Sequence, residues 1–90
     1  MISIDDIIGL TDLTREEIDA VAEHEHIPEA AAAALADYLL HRTGGAQLIR
    51  RMIAEDIRDA LARGDTPHAR ELFAALRHFE AHHAEELAAG

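Results

Sequence analysis

Ninety residues, 49% of them apolar, are enough for one packed domain and too few for two. Eighteen acidic residues against eight basic ones leave a formal charge of -10, which repels phosphate backbones and anionic lipid and so disfavours a nucleic-acid or membrane role. Cysteine is absent, which excludes disulfides, thiolate metal ligands and cysteine nucleophiles.

Only Tyr38, Phe73 and Phe79 are aromatic, while alanine is abundant; such a composition suits helices that approach closely and gives sheets little to work with. Ser3 with Asp6 resembles a capping box and predicts a short helix through Ile4, Ile7 and Ile8 to Gly9. Thr14 with Glu17 is a full capping box and opens a second helix that runs to about His26. Pro28 ends it and introduces a third, alanine-rich helix from Glu29 to about His41, closed by Gly44-Gly45.

From about Ala46 to Arg63 the chain shows its clearest amphipathic period. Ile49, Met52, Ile53, Ile57, Ala60 and Leu61 lie on one side, and Arg50, Arg51, Glu55, Arg58 and Asp59 on the other. Gly64 stops this helix, and Asp65-Thr66-Pro67 starts a fifth that is predicted to run unbroken to about Ala88. The expectation is an all-α fold in which residues 1–90 form one domain, a compact bundle of four main helices plus a short N-terminal helix.

Polar residues at apolar positions are the first candidates for function. On the fifth helix Ala69, Leu72, Leu76, Phe79 and Leu87 form the inward stripe, with His83 in its middle. On the second, Ile18, Val21 and Ala22 define the inward face and Glu25 follows one turn later. A buried carboxylate and a buried imidazole each need a partner, so Glu25 and His83 are expected to pair.

A second set has metal-ligand spacing. Glu23/His26 and Glu80/His83 are Glu-x-x-His pairs, part of the ligand pattern of di-iron bundles. The further inward glutamates that pattern requires are missing, since Glu17, Glu55 and Glu71 do not fall on apolar faces. A mononuclear Zn, Ni or Fe site fits better, with His78 and His82 at i, i+4 and a ligand from Glu23, His24 or His26. With ten glutamates and seven histidines in the chain, about one such pair arises by chance, so no cofactor is the first expectation and metal the alternative.

Hydroxyl nucleophiles are few and mostly explained as helix caps, no Gly-rich loop follows a strand, and the second and third helices offer nothing that reads a base. No basic n-region begins the chain and no apolar run approaches ~20 residues, so a cytoplasmic protein is expected. Before Arg42 the only basic residue is Arg15, whereas Arg50, Arg51, Arg58, Arg63, Arg70 and Arg77 crowd the last two helices. Such a split favours ion pairing within or between chains. The reading is a non-enzymatic module that binds a protein partner, a second copy forming a homodimer among the possibilities. Its histidines, His24, His26, His78, His82 and His83 foremost, would make binding respond to pH.

The segment Ala22-Glu-His-Glu-His-Ile-Pro-Glu-Ala30, with Arg-Gly-Asp-x-x-His-Ala-Arg-Glu-Leu at 63–72 and Leu-Arg-His-Phe at 76–79, is similar to small bacterial all-helical proteins that have no assigned activity. That resemblance implies a bacterial helical protein and carries over no catalytic residue, cofactor or substrate.

Overall fold

The computed structural model describes residues 3–89. Six helices follow one another in the order α1 (Ile4–Gly9), α2 (Arg15–Glu25), α3 (Glu29–Leu40), α4 (Gly45–Ala62), α5 (Thr66–His82) and α6 (Ala84–Ala89), with no strand among the described residues. The long helices are the four expected from the hydrophobic period. Caps explain where they begin. The Ser3 and Thr14 side chains accept from the backbone N–H of Asp6 and Glu17, whose carboxylates accept in turn from the Ser3 and Thr14 backbone N–H, two complete capping boxes. Asp65 accepts from the His68 N–H ahead of α5, with Pro67 in the first turn.

Two junctions depend on backbone conformation. His26 ends α2 in the left-handed region at φ 57°, its N–H bonded to the Ala22 carbonyl. Gly45 opens α4 so close to the end of α3 that a Cβ there would stand 1.7 Å from the Leu39 carbonyl oxygen. No side chain fits at Gly45.

Helices α4 and α5 form the most extensive pair and α2 packs across both, while α3 covers α2 and α4 and is itself covered by α1. The molecule measures 38 × 34 × 18 Å, and its shortest dimension is about two helix diameters. Ile18, Val21, Ile49, Ile53 and Phe79 are buried at the centre. Ala32, Ala33 and Ala36 are fully buried beside them, so the small residues of α3 serve close approach inside the fold.

One boundary differs from expectation. The predicted single helix from Pro67 to Ala88 is interrupted at His83, where φ is -123° and ψ 31°. The break lets α6 turn onto α4, where the Gln47 side-chain amide donates to the Glu86 and Leu87 carbonyls at 3.1 and 2.8 Å. A straight continuation of α5 would leave those carbonyls without this donor.

Candidate functional site

Helices α2 and α5 run antiparallel, and three polar contacts along their seam fix the register. Just ahead of α2, His83 Nε2 donates to the Asp12 carbonyl at 3.1 Å. One turn into α2, His78 Nδ1 donates to Glu17 Oε2 at 2.7 Å. Near its end, His68 Nε2 donates to Glu23 Oε1 at 2.6 Å. Carboxylates and carbonyls only accept, so the imidazoles carry the shared protons.

The buried carboxylate of this seam is Glu17, which is 1% exposed. One oxygen accepts from the Thr14 N–H at 2.8 Å and the other from His78, so both are satisfied in a place where an unpaired charge would be costly.

This register corrects the expected pairing of Glu25 with His83. His83 is buried as expected, but it lies over the N-terminal end of α2, whereas Glu25 lies at the opposite end, about 17 Å away along the helix axis. Glu25 is exposed and accepts from its neighbour His24 Nδ1 at 3.0 Å. His83 Nδ1 makes no hydrogen bond, with Glu86 Oε2 3.8 Å away.

The proposed metal ligands are not brought together either. The His78 and His82 rings stack at 3.9 Å between centroids and 19° between planes, an arrangement in which their nitrogens do not converge on one ion. His78 is engaged by Glu17, and His82 Nδ1 by the His78 carbonyl at 3.1 Å. Glu23, His24 and His26 lie at the other end of α2, where Glu23 holds His68, His24 turns to α4, and His26 is exposed. Among the described residues no three His, Asp or Glu side chains are grouped to hold a metal ion.

At the α2–α4 contact, His24 stands between carboxylates: Nδ1 faces Glu25 and Nε2 faces Glu55 Oε1 at 3.4 Å. Burial lowers its basicity, but hydrogen bonding to Glu25, the charge of Asp56 and the Glu55 contact together outweigh this and raise the pKa above its ordinary value. Asp56 is itself raised, first by burial, with His24 acting in the opposite sense.

Arg15, the one arginine of the first three helices, joins them. Its guanidinium contacts Asp5 of α1 and both oxygens of Glu29 of α3, the latter at 3.3 Å. The hydrogen bond to Asp5, then the charge of Glu29, raise its pKa. Beside it, partial burial and the neighbouring Glu29 carboxylate push the Asp19 carboxyl up to about 6.

Two grooves flank α5, and they differ in chemistry. Between α2 and α5 lies one of about 330 Å³ lined by Glu16, Asp19, Glu23, His68 and Glu71 over an alanine and leucine floor. Of its acids, Glu23 accepts from His68 Nε2 and Glu71 stands 3.7 Å from His68 Nδ1. Between α4 and α5 lies an apolar groove of about 370 Å³ lined by Ile57, Leu61, Ala69, Phe73 and Ala74, with Arg70 and Arg77 beside them. Phe73 is 50% exposed and Leu61 56%. Leu61 was expected on the buried stripe of α4; it lies instead at that stripe's edge, where α5 does not cover it.

Sequence reasoning missed Glu17, His68 and Phe73. Glu17 precedes Ile18 and stands four residues before Val21, so the helical period already placed it on the inward edge. Phe73 is the one large apolar residue of α5 that falls outside the inward stripe. For His68 no local signal exists, because its partner Glu23 is set by the α2–α5 register. Compared with protein-family models, curated proteins and solved structures, the chain finds no match.

Proposed function

We propose that this chain is a non-enzymatic interaction module that binds another protein through the α4–α5 face. The observation that carries the reading is the apolar groove holding Leu61 and Phe73, both about half exposed. Large exposed apolar side chains that share one groove mark contact surfaces, whereas single ones are ordinary. Leu10 and Tyr38 are also exposed, but Tyr38 lies against the Arg42 guanidinium, and neither lines a groove of this kind.

A second element of the reading is pH. His24 ties α2 to Glu55 of α4, the helix that also carries Ile57 and Leu61. Its raised pKa means that this tie is strongest with the imidazole protonated and weakens as pH rises. Loosening this tie would free α4, one wall of the groove, to move, which is how a small local charge change reaches a binding face.

The test compares the chain with a Leu61→Ser/Phe73→Ser variant, whose two side chains are too exposed to support the core. Both proteins, immobilised and matched for circular dichroism, are exposed to extract from cells that make the chain, and sedimentation velocity follows self-association from pH 5.5 to 8. The reading expects a specific protein, or a second copy, to be retained by the unaltered chain and lost from the variant. Identical retention and identical mass for the two proteins would contradict it.

A further inference from the structure

We propose that the occupant of the α4–α5 groove is an amphipathic helix of a partner protein that carries Asp or Glu on the flanks of its apolar stripe. The inference rests on the interaction reading above and adds the partner's chemistry. The groove is a trough between two helices, the shape into which one further helix lays an apolar stripe at i, i+3, i+4 and i+7.

Its rim is basic although the chain is strongly acidic. Arg70 and Arg77 line the groove on the α5 side. Both are exposed. Among the described residues neither lies within ion-pair distance of a carboxylate, whereas Arg15 contacts two.

Two uncommitted guanidiniums along an apolar trough select a partner with carboxylates beside its apolar residues. The spacing is also specified: Arg70 and Arg77 are two turns apart on one face, about 10 Å, so the matching acids on a helix lying alongside are about seven residues apart. A second copy is the poorer occupant. A two-fold contact through this face brings the arginine rim of one chain against that of the other. The net charge of -10 repels an acidic partner at long range, but at physiological salt that field is screened beyond ~8 Å, and at contact the rim decides.

The test uses a displayed library of 16-residue helical peptides with leucine fixed at the apolar stripe and all flanking positions randomised, selected against the full chain. Expected is enrichment of Asp and Glu at flanking positions about seven apart. A synthetic peptide of the enriched sequence should bind saturably, lose roughly tenfold or more in affinity to an Arg70→Glu/Arg77→Glu variant, and lose measurable binding to Leu61→Ser/Phe73→Ser. A Lys-flanked version of the peptide should show the reverse preference for the charge-swapped variant. Binders that need Leu61 and Phe73 but carry neutral or basic flanks would overturn the acidic-partner proposal while leaving the interaction reading intact. Self-association through Phe73 without peptide enrichment would do the same. No enriched binder and no self-association would overturn both.

Discussion

The contact between Glu17 and His78 gives the α2–α5 seam its most demanding test, because the carboxylate is buried and, among the described residues, the imidazole is the only side chain bonded to its Oε2. Replacing Glu17 by alanine removes three things. The reciprocal half of the capping box on the Thr14 N–H, 2.8 Å long, contributes about 1 kcal/mol. The 2.7 Å bond from His78 contributes about 1 to 2 kcal/mol, at the lower end for an ionised acceptor because the His78 side chain is 42% exposed. Burial of the one methylene that alanine lacks adds about 1 kcal/mol. Glu17→Ala should therefore lower stability by about 3 to 4 kcal/mol. His78→Ala leaves Glu17 Oε2 buried without its partner and should cost about 1 to 2 kcal/mol. Urea unfolding of the wild type, the two single variants and the double variant at pH 7 then yields the coupling directly, expected at about 1 to 2 kcal/mol. A coupling below ~0.4 kcal/mol, within ordinary additivity, would refute the idea that this pair holds the seam.

Three other perturbations separate the polar groups by role. Asp19→Asn should stabilise the protein at pH 7.5 and have no such effect at pH 4. The folded carboxyl, held at about 6, resists ionisation more than the unfolded one, so stability is lost as pH rises through that window. The full displacement corresponds to about 3 kcal/mol, but Asp19 stands open to water, so the gain measured by thermal unfolding should be ~0.5 to 1 kcal/mol. For His24→Gln the sign is opposite. A raised imidazole pKa contributes stability that is complete below the unfolded value of about 6.5 and is lost as pH rises through the folded one, so denaturation should show a larger deficit at pH 5.5 than at pH 8.5. His26→Gly should raise the unfolding free energy by ~0.5 to 1 kcal/mol, because His26 is held at φ 57° and its side chain is exposed. Loss of stability on that substitution, in a chelator-treated sample, would show that the imidazole itself is used.

Local signals read well from the sequence, and contacts set by register did not. Thr14-Glu17, Ser3-Asp6 and Asp65-Pro67 announced three helix starts because a cap needs only residues three apart. The inward stripes of α4 and α5 followed from the helical period in the same way, and His83 was placed correctly on its face. Which residue it meets was beyond that reasoning. Face assignment gives an angle about the axis and no position along it, so Glu25 and His83 could be put on facing sides while standing at opposite ends of α2. The same gap hid Glu23 with His68, and it made His78 and His82 look like metal ligands when stacking and the Glu17 bond occupy them.

The stretch from Glu23 to His26 shows how closely spaced residues of similar chemistry part company. Successive positions on a helix point 100° apart, so Glu23 reaches α5, His24 reaches α4, and Glu25 turns to water and to His24. His26 is used through its backbone, where the chain leaves the helix. Four polar residues in a row thus make a joint between three helices. Charge separates in a similar manner, since Arg15 is spent on tying α1, α2 and α3 while the arginines around the α4–α5 groove are left to solvent.

The central claim, that the α4–α5 face is the working surface, is tested most directly by amide chemical-shift mapping of the 15N-labelled full chain, titrated with the protein that this surface retains. Perturbations concentrated at Ile57, Leu61, Ala69, Phe73 and Arg77, and abolished in Leu61→Ser/Phe73→Ser, are the expected result. Perturbations centred on Glu16, Asp19 and Glu23 in the groove between α2 and α5 would contradict it and move the function to the acidic side of the molecule.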